Sequence, residues 1–252
     1  MQTVDVVVLT KNSGHLLDKC FESIYENVPI ENLIIVDGYS TDDTMKIVDK
    51  TNVKHGNVTV LKMNGSRARA RTAGIRQVET DWFMFVDSDV ILSRDWFKKA
   101  QRSVKNDTGA VWGVNIDVIP NVSKDKRFVK IQNLIARQCF YLRGGMHDTL
   151  IRRDAVKGIR IPEQLHTYED AYIIEWIKQN GYKAVIDNDA YCLHFKPPTN
   201  WNLEKGVSEA ILELKCGLVY SHNYEYVAYY PFFMFQWFMQ LSIQGVRGLI
   251  SR

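Results

Sequence analysis

The sequence predicts an α/β protein with a mostly parallel sheet flanked by helices, and three observations carry that prediction. Apolar runs of strand length, several rich in β-branched residues, recur at Val4–Leu9, Leu33–Val36, Val58–Leu61 and Trp82–Val86. Between them lie stretches with helical spacing, and alternation at this pace builds βαβ units. The composition is that of an ordinary globular domain, 46% hydrophobic and 24% charged over 252 residues.

Val4–Leu9 has no polar alternation after Asp5, which fits a strand buried on both faces. Lys11-Asn12-Ser13-Gly14 turns the chain, and Leu16, Leu17, Cys20, Phe21 and Ile24 then share a helical face, with Asn12 or Ser13 as the expected N-cap. Pro29 ends that helix. A second strand, Leu33–Val36, runs into Asp37-Gly38-Tyr39-Ser40-Thr41-Asp42-Asp43, whose Ser, Thr and Asp side chains cap a helix over Thr44–Lys50. Val58–Leu61 is the third strand, Arg67–Val78 a basic helix, and Trp82–Val86 the fourth strand.

Beyond that point the expected elements are a strand at Val111–Val118, a polar loop at Asn121–Arg127 and a helix at Val129–Tyr141. Gly144-Gly145 turns the chain into Thr149–Val156. Thr167-Tyr168-Glu169-Asp170 precedes an amphipathic helix bearing Ile173, Ile174 and Ile177, and a short strand at Ala184–Ile186 leads towards Cys192-Leu193-His194. No internal repeat or low-complexity linker interrupts residues 1–200, which read as one domain, with 201–252 as a separate helical tail.

A net charge of +3 gives no electrostatic case for nucleic acid. The four cysteines are far apart with no zinc spacing, and read as reduced and mostly buried. The N-terminus enters a strand directly, without a secretory pattern.

The chemistry concentrates in Asp87-Ser88-Asp89 at the end of the fourth strand. Residues i and i+2 of an extended segment point the same way, so the two carboxylates can converge where open α/β sheets bind ligands. Hard anionic oxygens there suit Mg²⁺ or Mn²⁺, and an Asx turn closing the strand explains them equally well. Arg67 and Arg71, four apart on the basic helix, present either a pair of guanidinium forks for phosphate or a solvated face. Glu169 and Asp170 are either helix-capping carboxylates or a catalytic pair.

Five stretches in order resemble the inverting, metal-dependent nucleotide-sugar glycosyltransferases of family 2, which have the Rossmann-like GT-A fold of dolichyl-phosphate-mannose synthases and cellulose-synthase-like enzymes. They are Leu9-Thr10-Lys11-Asn12, Val36–Asp42, Ala70-Arg71-Thr72-Ala73-Gly74, Asp87-Ser88-Asp89, and Glu169-Asp170 followed by His194. The resemblance covers roughly residues 4–195 and implies roles. Asp37, with Thr10, meets the nucleotide base; Arg71 and Arg67 approach the diphosphate; Asp87 and Ser88 face the ribose side. Asp87, Asp89 and His194 hold Mn²⁺ or Mg²⁺, Asp170 is the general base beside Glu169, and Gly144-Gly145 forms the turn beneath the acceptor.

The departures are Gly38 in place of a second acidic residue, Tyr39 in place of glycine, and Thr72 in place of asparagine. The Gln-x-x-Arg-Trp signature of processive synthases is absent, which favours transfer of a single sugar. In the tail, Gln236, Gln240 and Gln244 draw a narrow polar stripe on an aromatic helix that falls short of the ~20 apolar residues of a bilayer span. A helix in the membrane interface, a core or oligomer helix, and a lead into membrane spans are the three readings of that tail. The first places the chain on the cytoplasmic face of a membrane and suggests a lipid-linked acceptor such as a polyprenyl phosphate. The resemblance to lipid-directed mannosyltransferases makes GDP-mannose the favoured donor, ahead of UDP-sugars. The alternatives are a UDP-sugar-dependent transferase acting on another hydroxyl, or a non-catalytic nucleotide-sugar binder at the membrane.

Overall fold

The computed structural model describes residues 3–118, 145–165 and 169–195. The loop expected at 121–127, the helix at 129–141, Gly144, Thr167-Tyr168 and the tail 201–252 lie outside the described residues. The elements in order are β1 (Val4–Thr10), α1 (Leu17–Asn27), β2 (Ile30–Asp37), α2 (Thr44–His55), β3 (Val58–Lys62), α3 (Arg67–Arg76) and β4 (Trp82–Asp87). They continue with β5 (Val90–Leu92), α4 (Trp96–Arg102), β6 (Thr108–Asp117), β7 (Asp148–Arg152), a 3₁₀ turn (Arg153–Val156), α5 (Glu169–Gln179) and β8 (Lys183–His194).

The described strands form one sheet in the order β3-β2-β1-β4-β7-β6-β8-β5. The first four run parallel, β7 lies antiparallel between β4 and β6, and β8 pairs parallel with β6 and antiparallel with β5. Alternate residues of the central strands feed two cores. Val6, Val8, Leu33, Ile35 and Met84 pack with α1 through Leu17, Cys20, Phe21 and Ile24. Val7, Ile34, Val36, Phe83 and Phe85 pack on the other side with Ile173, Ile174 and Ile177 of α5. That is why the strand sequences show no polar alternation. Each of these isoleucines stabilises the fold by roughly 1.5–3 kcal/mol through burial. Among the described residues no helix is long and apolar enough to cross a membrane.

Local signals were partly redirected by tertiary contacts. The helix face around Cys20 is buried as expected, but α1 begins at Leu17, and its N-cap Leu16 makes no side-chain cap. Asn12 instead takes φ 52° and accepts from the Thr41 N–H through its side-chain oxygen at 2.9 Å, while the Ser13 hydroxyl lies 2.8 Å from that of Ser88. The expected caps therefore join loops at the sheet edge. Helix α2 runs past Lys50 to His55, and Asp42 rather than its N-cap Asp43 accepts from the Thr44 N–H. The short strand expected at 184–186 is part of a twelve-residue strand with an irregular register against β6. The segment expected at Thr149–Val156 divides into β7 and the 3₁₀ turn.

Gly74 decides how closely α3 approaches the sheet. A Cβ there would overlap the Val7 side chain, so its absence lets α3 press onto β1. Gly113 plays a similar part on β6, where a Cβ would collide with the Asp148 carboxylate and the Trp96 indole N–H. Those two groups form a buried hydrogen bond, the indole donating to the carboxylate at 2.7 Å.

Burial lifts the Asp148 carboxyl to about 7 despite that bond. The folded state then holds a proton that the unfolded chain releases near its ordinary value. This contribution to stability is complete below about pH 4 and is lost as pH rises towards 7. Asp148→Asn keeps an acceptor for Trp96 and removes the ionisation. Thermal melts should show the variant more stable than the parent at pH 8, with the gap closing by pH 5.

Candidate active site

Parallel pairing brings three strand ends to one edge. Thr10 stands opposite Asp37 in the β1–β2 register, and Leu9 opposite Asp87 in the β1–β4 register. The C-terminal edge of parallel strands is where open α/β sheets bind ligands, because the helix-bound connections leave a crevice there.

Asp37 is fully buried. Its carboxylate accepts from the Thr10 hydroxyl at 2.9 Å, the Ser40 N–H at 2.9 Å and the Ser40 hydroxyl at 2.6 Å. It therefore holds the turn after β2 and fixes Thr10 with it. Tyr39, at the crest of that turn, has φ 57° and is 53% exposed. A bulky residue in this left-handed region is strained, and glycine, which the resemblance implies here, would relieve that strain.

Arg67 and Arg71 do not share an environment. Arg67 is exposed at the first position of α3, whereas the Arg71 side chain is 5% exposed. Arg71 Nη2 lies 3.2 Å from Asp87 Oδ1 and Nε 3.1 Å from Glu169 Oε1. The guanidinium also sits 4.8 Å from the centre of the Phe85 ring. Expected at the diphosphate, Arg71 is thus a strut between the end of β4 and the start of α5. Burial alone would lower its affinity for a proton, but Asp87 and Glu169 more than offset this and keep it cationic.

The carboxylate of Asp87 is divided between two partners. Oδ1 faces Arg71, and Oδ2 lies 2.8 Å from His147 Nδ1. Burial would raise its pKa, yet the His147 hydrogen bond and the Arg71 charge hold it far below the usual carboxylate range. Asp87 is anionic at any physiological pH. Glu169, almost fully buried, is pushed upwards by burial against the opposing pull of Arg71. Next to it, Asp170 is half-buried, and its Oδ1 accepts from the Ala171 N–H at 2.8 Å in the first turn of α5.

The far side of the site is made by β8. His194 Nε2 lies 3.3 Å from Asp89 Oδ2, and the Phe195 N–H donates to the Asp89 carbonyl at 2.9 Å. The His147 and His194 rings are tilted against each other at 4.5 Å. Asp87, His147 and His194 each offer a ligand atom within 4.8 Å of the others. One anionic oxygen and two imidazole nitrogens so placed fit a divalent first-row ion. His147 carried no signal in the sequence. It stands alone before β7, some sixty residues from Asp87, and only the antiparallel β4–β7 pairing unites them.

The sequence profile of Glycosyl transferase family 2 matches residues 5–162. Among curated proteins, the chain is 28% identical over 189 residues to a teichoic acid poly(glycerol phosphate) polymerase from Staphylococcus epidermidis, covering 71% of this chain and 26% of that protein. It is 26% identical over 206 residues to the poly(ribitol-phosphate) beta-N-acetylglucosaminyltransferase TarS of Staphylococcus aureus, covering 76% of this chain and 35% of TarS. The chain thus spans about a quarter to a third of the length of these relatives. Among solved structures, it resembles a mannosyltransferase from Pyrobaculum calidifontis in complex with GDP-Man and Mn²⁺, with a TM-score of 0.63 at 19% identity, over 88% of this chain and 71% of that one. That likeness shows the GT-A fold. With the profile spanning more than half its length, this chain belongs to glycosyl transferase family 2.

Proposed function

We propose that this chain is a metal-dependent, inverting glycosyltransferase that moves a sugar from a nucleotide-sugar to an acceptor hydroxyl. The observation that carries the reading is the bridge through Arg71. It holds Asp87, at the nucleotide edge, and the Glu169-Asp170 pair, at the start of α5, in one constellation.

The residues divide the work. The turn held by Asp37, Thr10 and Ser40 offers a rigid floor for the nucleotide. Asp87 and His194, which belong to the cluster with His147, would hold Mn²⁺ or Mg²⁺ beside the diphosphate, with Asp89 next to His194 as a further carboxylate. When bound, such an ion supplies positive charge to the departing nucleoside diphosphate. Asp170 accepts the proton of the acceptor hydroxyl as that oxygen attacks the anomeric carbon opposite the leaving group. One displacement inverts the configuration. Arg71 holds the two ends of this arrangement in register, and Arg67, exposed at the start of the same helix, offers a further cation for the diphosphate.

The donor and acceptor are the finer part of the proposal. Mannose from GDP-mannose rests on the resemblance to lipid-directed enzymes. The name of TarS, an N-acetylglucosaminyltransferase acting on poly(ribitol-phosphate), supports a hydroxyl on a polyol-phosphate polymer. We therefore place a UDP-linked hexose first and GDP-mannose second. Attachment to the cytoplasmic face of a membrane is part of the proposal, with the apolar residues of 229–244 as its basis in sequence.

A melting panel with GDP, UDP and their sugars, with and without Mn²⁺, tests the donor, because ligand that binds only the native state raises apparent stability. The expected result is a shift with one base, larger with Mn²⁺, and release of nucleotide once a polyol-phosphate acceptor is added. A shift without turnover on any acceptor would identify a binding protein instead.

A further inference from the structure

The metal-ligand cluster contains a residue that the Asp-Ser-Asp stretch and His194 do not account for. His147 precedes β7, and its carbonyl accepts from the Asp87 N–H at 3.1 Å, so its backbone is fixed to the end of β4. His194 is fixed from both sides, opposite Val90 of β5 and with its carbonyl accepting from the Val118 N–H at 2.7 Å. Backbone hydrogen bonds therefore fix both residues at this edge, a degree of preorganisation that a metal site requires. The division of Asp87 gives the direction. Arg71 occupies Oδ1 and keeps its positive charge on that side, while Oδ2 turns towards His147 Nδ1 at 2.8 Å.

We propose that His147 is a direct ligand of the divalent ion, and that Asp87, His147 and His194 together make the site selective for manganese over magnesium. The proposal deepens the transferase reading by naming the ion of the same site. Magnesium demands oxygen ligands and keeps its waters, whereas imidazole suits first-row transition ions. An all-oxygen site would leave magnesium, the more abundant ion, in possession. The hydrogen bond between His147 Nδ1 and Asp87 Oδ2 is the contact that a bound ion would replace. In the competing role His147 only orients Asp87 by that hydrogen bond, which a glutamine amide can also donate.

The test uses the whole chain with metal alone, without nucleotide or acceptor. Titration calorimetry with MnCl₂ and MgCl₂ should show manganese binding at least about ten-fold more tightly. Pulsed electron paramagnetic resonance of the manganese form should show two coordinated imidazole nitrogens. His147→Gln, checked for folding by circular dichroism, should lose one nitrogen coupling and about ten-fold in manganese affinity, with magnesium affinity little changed. An unaltered manganese affinity in H147Q, or a single nitrogen in the parent spectrum, overturns the proposal. The parent spectrum decides the matter even if the variant does not fold. Because no sugar is transferred in any arm, failure here is separate from failure of the transferase reading, which is judged by nucleotide release.

Discussion

Asp170→Asn should lower the rate of sugar transfer by about 10²–10⁴-fold, the usual worth of a positioned general base, while leaving the melting temperature nearly unchanged. An asparagine carbonyl accepts from the Ala171 N–H as Asp170 Oδ1 does, so the contact in the first turn of α5 is kept. What the amide cannot do is take a proton from the acceptor. The size of the loss also reports on the acceptor. A hydroxyl needs deprotonation as it attacks, so the variant should be almost inactive. A phosphate acceptor is already anionic, and a loss of less than about ten-fold would point to it and against the hydroxyl proposed above. Initial rates with a polyol-phosphate and with a polyprenyl phosphate, each against the parent, make the comparison.

Arg71→Met should be strongly destabilising, costing about 3–5 kcal/mol in denaturant titrations at pH 8. Methionine fills similar volume but leaves Glu169, whose side chain is 4% exposed, as a buried carboxylate without its cation. Burial already pushes Glu169 upwards, and loss of Arg71 removes the main opposing influence. The variant's Glu169 therefore holds its proton to higher pH than the parent's. The deficit should be smaller at pH 5, where the acid is neutral in the variant, and larger at pH 8, where it must either ionise in the interior or bind a proton from a dilute solution. Arg71→Lys separates positioning from charge. A lysine is a point charge on one stem and reaches Asp87 or Glu169, not both in the fork geometry of the parent. It should recover much of the stability and little of the transfer rate. Full recovery of both would reduce Arg71 to a buried counter-ion.

Cys20 and Cys192 are both buried, and the Cys192 thiol donates to Asn115 Oδ1 at 3.8 Å. More instructive are the places where local pattern and tertiary contact parted. Asn12 and Ser13 have the chemistry of N-caps, yet their side chains bond Thr41 and Ser88. A cap preference is worth about 1 kcal/mol, so a competing contact in a crowded crevice readily redirects it. The strand β5 and helix α4 gave no clear periodicity because they are three and seven residues long. For elements that short, packing against β8 outweighs intrinsic propensity.

By itself, the sequence determined the elements that are long and apolar. Runs such as Leu33–Val36 and Trp82–Val86 can be satisfied only in a sheet covered on both faces, and that burial forces their polar ends, Asp37 and Asp87, onto a common edge. It also marked Asp89, Glu169, Asp170 and His194 as groups of interest, since carboxylates and imidazoles at strand and helix ends are costly to place without a partner. Only the tertiary structure decided which of these groups meet. Arg71 turned inwards because Gly74 lets α3 lie tightly on β1, and His147 joined Asp87 because β7 enters the sheet antiparallel beside β4. Contacts between residues 60 and 98 positions apart depend on how the sheet closes, and no local periodicity records that.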